Sequence, residues 1–393
     1  MSEQRQQKYP PSVQHGIPRL SVVQKGWKSA EIGKLVMEVV RPVEMDDDET
    51  YTLVTAKRSR GGIVRREKLK GYEIAVKNQF YIQAGDFIIS KRQIVHGACG
   101  FVPEELNGAI VSNEYLVLNF TDKVIPQFWE LLTHTIYFQQ VCFYSSIGVH
   151  VEKMLFKVSR WYQWKVNIPT LKEQEKIASF LGAIDTRLTQ LRRKHELLQT
   201  YKRGVMQKLF SQQIRFKCDR GKPFPDWENK RLEAIFSEFK SGYNITSDEI
   251  TESGSYPVFG GNGMRGYSEK FTHDGFYFLI GRQGALCGNI HRSYGKAYIS
   301  EHAIACKAND TSDTEWLAQR LNYYNLNKIS ESSAQPGLAA NKLLRFKLLT
   351  PSKEEQEKIA DFLTAIDQKI EAISQQINLT KQFKKGLLQK IFV

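Results

Sequence analysis

The chain has 393 residues, with Lys+Arg 56 against Asp+Glu 42 and a formal charge of +14. A single core seldom serves this length, so two or three domains are expected, and the cationic surplus points to a polyanion, nucleic acid before an anionic membrane surface. No apolar run approaches the roughly 20 residues that span a bilayer, and the scattered Cys99, Cys142, Cys218, Cys287 and Cys306, never in C-x-x-C spacing, argue against a disulfide framework or a zinc site.

Residues 1–11 are polar, with no apolar stretch behind their charges, so they do not read as a signal peptide; a cytoplasmic address and reduced cysteines follow. Residues 35–168 read as strand-rich with short helices. The stretch 80–90, apolar and β-branched around Gly85-Asp86, suggests a hairpin, 113–120 a further strand, and 126–137 a helix. Basic and amide side chains cluster here at Lys57, Arg58 and Arg60 beside Gly61-Gly62, at Arg65-Arg66, and at Lys91, Arg92 and Gln93.

After Pro169 a heptad pattern begins. Ile177, Leu181, Ile184, Leu188, Leu191, His195, Leu198, Lys202, Val205 and Leu209 follow at alternating steps of four and three, the seam of a coiled coil. Pro169 punctuates the start, and acidic Glu173 and Glu175 suit the positive end of the helix dipole. The helix is expected over 169–211, a rod of roughly 60 Å at ~1.5 Å per residue, with Gly204 loosening its last turns.

The region 212–350 has short strands punctuated by glycine: 256–259, then Gly260-Gly-Asn-Gly, 275–284 and 295–300. A helix over 314–325, a Gln335-Pro-Gly-Leu turn and a strand over 343–349 close it. Arg265, Tyr267, Arg282, Gln283, Asn289, His291 and Arg292 recur beside glycines that would let backbone approach a duplex. Arg and Lys can donate to guanine O6/N7, Asn and Gln can pair with adenine, and spare cations can neutralise phosphates.

The last segment, 351–393, repeats the first helix. The stretch 169-PTLKEQEKIASFLGAID-185 returns as 351-PSKEEQEKIADFLTAID-367, offset by 182 residues without a gap, and the offset holds through Lys202/Lys384, Gly204/Gly386 and Phe210/Phe392. Its seam runs Ile359, Leu363, Ile366, Ile370, Ile373, Ile377, Thr380, Lys384, Leu387, Ile391, with His195, Lys202, Thr380 and Lys384 as polar, register-setting positions. Trp27 before Ala30-Glu-Ile echoes Trp227 before Lys230-Arg-Leu, so each half opens alike. The order is domain, helix, domain, helix, and a pseudo-twofold relation makes the helices antiparallel partners.

The doubled E-Q-E-K-I-A-x-F-L-x-A-I-D segments, GDFIISKRQIVHGACGF, GGNGMRGY, LIGRQGALCGN and the QPGL turn together resemble the specificity subunit of type I restriction-modification systems, from about residue 16 onward. The resemblance implies an α+β fold: two mixed α+β target-recognition domains (1–168 and 212–350) separated by an antiparallel two-helix coiled coil (169–211 and 351–393). It implies that each domain reads half of a bipartite double-stranded DNA target, that the helices act as spacer and docking site for two methyltransferase subunits, and that restriction and translocase subunits join the complex.

No catalytic residue, metal or cofactor is expected. The chain lacks [ND]-P-P-[FYW], a Walker A loop, H-E-x-x-H and the zinc-deaminase pattern, while His273-Asp274 and Glu301-His302 are isolated pairs. The alternative reading, a coiled-coil protein-interaction adaptor without specific DNA binding, explains the helices but not the basic, glycine-flanked loops.

Overall fold

A computed structural model describes residues 9–284, 286–329, 338 and 340–392. The chain divides into two compact units, Met1–Gln190 with Ile377–Val393, and Leu191–Gln376. Each owns part of both long helices, Leu171–Phe210 and Lys353–Phe392. The helices run unbroken through Gly204 and Gly386, contrary to the expected loosening, because glycine in a helix costs stability without breaking the hydrogen-bond ladder.

In the first unit, Lys28–Glu31 pairs antiparallel with Lys165–Ile168 at the root of the domain. One four-stranded antiparallel sheet orders Val36–Glu38, Tyr115–Phe120, Phe87–Ser90 and Cys99–Phe101. A second orders Ile63–Lys70, Thr50–Ala56, Ile110–Ser112 and Gln79–Tyr81, with Thr50–Ala56 and Ile110–Ser112 parallel. The hairpin expected over 80–90 is therefore absent: its two strands belong to different sheets. The cause is Asp86, which is buried, takes two hydrogen bonds from the Arg41 guanidinium (2.6 and 3.1 Å) and accepts the Gln83 N–H (2.8 Å), directing the chain across rather than back. The single helix expected over 126–137 is two, Pro126–Thr133 and Ile136–Tyr144, since Thr135 caps a fresh start by accepting the Phe138 N–H at 3.2 Å.

The second unit repeats this wiring with little of the sequence. Glu228–Arg231 pairs with Lys347–Thr350, and a four-stranded sheet orders Phe236–Ser241, Ala303–Ala308, Tyr277–Gly281 and Ile290–Ser293. Gly263–Ser268, Tyr256–Gly260 and a parallel Tyr298–Ile299 form the other sheet. The helix Thr314–Tyr324 ends on Asn325, at φ +62° in the left-handed region that stops helices. The strand expected over 343–349 splits into a short helix, Ala340–Leu344, and the strand Lys347–Thr350. The Gln335-Pro-Gly part of the predicted turn lies outside the described residues.

The repeated motif docks each long helix onto its own domain. The Trp27 indole donates to Glu173 (3.1 Å) in the first unit and the Trp227 indole to Glu355 (3.1 Å) in the second. The buried Gln174 donates to the carbonyls of Lys123 (2.9 Å) and Pro169 (3.1 Å) and accepts the Ile125 N–H (2.8 Å). Gln356 does the same, donating to the Pro351 carbonyl (2.9 Å) and accepting the Asp313 N–H (2.8 Å). The N–H groups satisfied this way, of Ile125 and Asp313, belong to the N-cap residues of the domain helices, where N–H groups have no partner within the helix.

In each unit the end of one long helix meets the beginning of the other, so the paired segments run antiparallel. In the second unit Val205, Met206, Leu209 and Phe210 share a core with Ile359, Ala360 and Leu363, and in the first Ile391 and Phe392 pack on the core that Ile177 joins. Of the predicted seam, Leu181, Leu188, Leu191, Ile359, Leu363, Ile366 and Ile373 are buried, and Ile177, Ile184 and Ile370 are half-buried. Full burial of a leucine such as Leu181 or Leu363 contributes roughly 2 kcal/mol. Lys202 donates to both carboxylate oxygens of Asp367 (2.7 Å each), and Lys384 donates to Asp185 (2.5 Å). The two lysines among the polar seam positions are thus ion-paired to the aspartate that ends each motif. All five cysteines are free thiols, and only Cys218 is not buried; burial lifts the Cys99 thiol to about 12.

Candidate nucleic-acid interface

In the first unit two loops lie side by side. Residues 57–62 cap the hairpin of Thr50–Ala56 and Ile63–Lys70, closed by a Lys57 N–H donated to the Gly62 carbonyl at 2.9 Å. Ser59 and Arg60 take φ of +56° and +57°, a strained pair held by N–H bonds to the carbonyls of His96 (2.7 Å) and Gly97 (2.8 Å) in the neighbouring loop. This juxtaposition brings Lys57, Arg58, Lys91, Arg92 and Gln93 onto one surface.

The cations there are oriented rather than loose. Arg58 donates to Gln93 (3.0 Å) and to Glu152 (2.5 Å), Arg92 donates to Glu114 (2.6 Å), and Lys91 donates to the Asn113 carbonyl (2.9 Å). Ion pairs between exposed groups are worth little and exchange readily for a phosphate or base edge. Arg60 differs: it is half-buried, its Nε has no acceptor, its guanidinium lies over Gly97, and burial lowers its pKa. Arg65 and Arg66 sit exposed on the adjoining strand, Arg66 paired with Glu67. Beneath the surface His96 is fully buried, its Nδ1 2.9 Å from the Ser12 hydroxyl and its Nε2 3.3 Å from Glu152.

The second unit gathers its polar residues around interlocked glycines. A Cβ at Gly281 would stand 2.2 Å from the Gly261 carbonyl oxygen, and one at Gly261 would stand 2.6 Å from that of His302. These two glycines are required because chain packs on chain, a reason nearer than the approach to a duplex expected from sequence. The packing sets Arg265, exposed, along Gly260, and His291 against Gly263. Arg282 donates to the Ser241 hydroxyl at 2.8 Å; Gln283 is exposed, and the Asn289 carbonyl accepts the Gly281 N–H at 3.0 Å. Tyr267 is half-buried, bound to Thr251 by two backbone bonds of 2.9 Å. Arg292 stands apart: strand alternation turns it away from its neighbour His291, and it pairs with Glu315 on the domain helix.

Sequence reasoning did not find the Trp–Glu–Gln clasp or the crossed Lys–Asp pairs, although the doubled E-Q and A-I-D were the signal for both. Among the described residues no cluster of His, Cys, Asp and Glu is built to hold a metal.

The chain matches the family model described as "Type I restriction modification DNA specificity domain" twice, over residues 37–199 and 225–381. The specificity subunit of the type I restriction enzyme EcoprrI from Escherichia coli is 44% identical over 134 residues, an alignment spanning 33% of this chain and 33% of that relative. The specificity subunit of the type I restriction enzyme MjaVIII from Methanocaldococcus jannaschii is 23% identical over 93% of this chain and 92% of its own length. The crystal structure of the S subunit of a type I restriction-modification system from M. genitalium shares the fold, with a TM-score of 0.64 at 17% identity over 94% of this chain and 96% of that one.

Proposed function

This chain belongs to the type I restriction-modification DNA specificity family and is a specificity subunit, the recognising rather than the catalytic component; on that premise we propose that its two units each read one half of a split DNA sequence. The observation that carries the proposal is duplication: one sheet wiring occurs twice, clasped by the same Trp–Glu–Gln contacts, with a different set of exposed cations and amides on each copy. A common scaffold with divergent loops is what two unlike half-sites require.

In this reading Lys57, Arg58, Lys91, Arg92 and Gln93 face one half-site, and Arg265, Arg282, Gln283 and Asn289 face the other. The recognition domains occupy 1–168 and 212–350, and the segments 169–211 and 351–393, which carry the long helices, space them. Chemistry on the target base is supplied by methyltransferase subunits. Their number, two, is supported by a stripe present on both helices. Leu197, Tyr201 and Gly204 recur as Leu379, Phe383 and Gly386, at i, i+4 and i+7, and the four large side chains are 52%, 52%, 65% and 56% exposed. Beyond the adjacent backbone of its own helix, no described atom lies within 4 Å of a Cβ built at either glycine. Restriction and translocase subunits join the same assembly, and the cytoplasm is its compartment; no described helix is long and apolar enough to cross a membrane.

A coiled-coil adaptor leaves the oriented loop cations and the match to a DNA specificity domain without account. The deciding experiment is an electrophoretic shift of the chain with its methyltransferase. Arg92→Ala and Arg282→Ala should each lose about 1–3 kcal/mol on the specific target where a base edge is touched, against a uniform loss and a shallower salt slope where a phosphate is. Binding unchanged in both variants counts against these loops, and binding indifferent to sequence counts for the adaptor.

A further inference from the structure

Arg292 belongs to a chain of polar contacts that crosses four elements of the second unit. Its guanidinium donates to both oxygens of Glu315 (2.6 and 2.5 Å) on the domain helix. One turn on, the fully buried Gln319 donates to Glu315 at 2.8 Å and to Asp367 at 2.9 Å, and Asp367 receives Lys202 from the other long helix. Arg292, Glu315, Asp367 and Lys202 all line one cleft of about 610 Å³. Arg292, Glu315 and Lys202 are 26%, 15% and 15% exposed, shielded enough that their charges are not simply screened by water, while Asp367 is 39% exposed.

The strand at one end of this chain is Ile290–Ser293, whose other face carries His291 against the Gly263 loop and which follows directly on Asn289. A displaced Arg292 therefore displaces the reading loops. Among the described residues the first unit has no such chain. Counting from the N–H that each domain helix offers to the motif glutamine, Ile125 or Asp313, the place of Gln319 is taken by the buried Leu131. Its Asp185–Lys384 pair stands without that link.

We propose that Arg292, Glu315 and Gln319 are positioning residues that fix the reading strand of the second unit on its helix pair, so that base choice in one half-site depends on them and base choice in the other does not. Arg292 then serves recognition without touching DNA. The proposal rests on the reading that each unit recognises one half-site.

The test is a map of methylated positions in cells carrying the full chain and its methyltransferase, for wild type, Arg292→Met, Arg292→Lys and Gln319→Leu. The expected result is about a tenfold loss of discrimination at positions of the half-site that Arg282→Ala also alters, partly restored in Arg292→Lys, with the other half-site unchanged. A merely structural role would lower methylation at all targets alike and leave the consensus intact. Should the single variants fail to assemble, the double variant Arg292→Met/Glu315→Met leaves no unpaired buried charge and decides the matter. A consensus identical to wild type, or both half-sites relaxed equally, overturns the proposal. A wild-type map without a bipartite target would instead defeat the reading beneath it.

Discussion

Glu173 and Glu355 occupy the same place in the two copies of the motif, yet their surroundings differ. Both accept an indole N–H, but Glu355 is fully buried and also takes two hydrogen bonds from Arg215 (3.0 and 2.8 Å). Removing one partner of a buried ion pair costs about 3–5 kcal/mol, whereas losing a hydrogen bond to a charged group costs about 1.5–3 kcal/mol. Glu355→Ala should therefore lower the thermal midpoint clearly more than Glu173→Ala; equal shifts would show that Arg215 adds nothing. From sequence Glu173 was legible only as a partner of the helix dipole, since a tryptophan more than a hundred residues upstream leaves no mark on local periodicity. A second residue-scale consequence concerns His96. Burial first, and Arg58 second, depress its pKa below the ordinary 6.5, although Glu152 opposes them. The folded protein thus holds His96 neutral where the unfolded chain is protonated, so stability is complete above about pH 6.5 and declines as pH falls through that value. Thermal midpoints at pH 7.5 and 5.5 should differ, and His96→Gln should shrink the difference, leaving the shares of His134, His273 and His291, whose pKa values burial also depresses. An undiminished difference would contradict this assignment.

At the scale of elements, the long helices were the most legible part of the chain because their signal is periodic: seam, punctuation and repeat all follow from spacing. Strand pairing was less so. The stretch 80–90 has the composition of a hairpin, and only the pairing of the half-buried Arg41 with the buried Asp86, formed across 45 residues, sends its two strands to different sheets. The glycines of the second unit were visible, but whether they make room for DNA or for Gly261 and His302 depends on tertiary packing. Gly204 and Gly386 give a test of the stripe. Among the described residues a Cβ at either would meet nothing beyond the adjacent backbone of its own helix, so Gly→Ala at both should stabilise the isolated protein by about 0.5–1 kcal/mol each. The same change should weaken association with the methyltransferase, measured by titration calorimetry, if a partner helix approaches there. Stabilisation with unchanged association would remove the stripe from the proposed docking surface.

For the whole molecule, the sequence repeats over about 40 residues, while the structure repeats the four-stranded sheet, the core of the second sheet, the root pair and a domain helix. Strand orders, the parallel strand of the minor sheet and the antiparallel root pair recur where residues have diverged. Backbone pairing needs only that side chains alternate suitably, so topology outlasts identity and escapes a search for self-similarity. The loops that the topology places together were legible as cationic clusters, but Arg60 and Arg292 were not separable from the rest until burial was known. If two copies of one scaffold read two unlike half-sites, the pattern of modified bases carries that duplication directly. Long-read mapping of methylated bases in a host carrying this chain and its methyltransferase should show one target with two defined segments separated by a constant number of unspecified base pairs. A single contiguous target, or a gap that varies from site to site, would contradict the account.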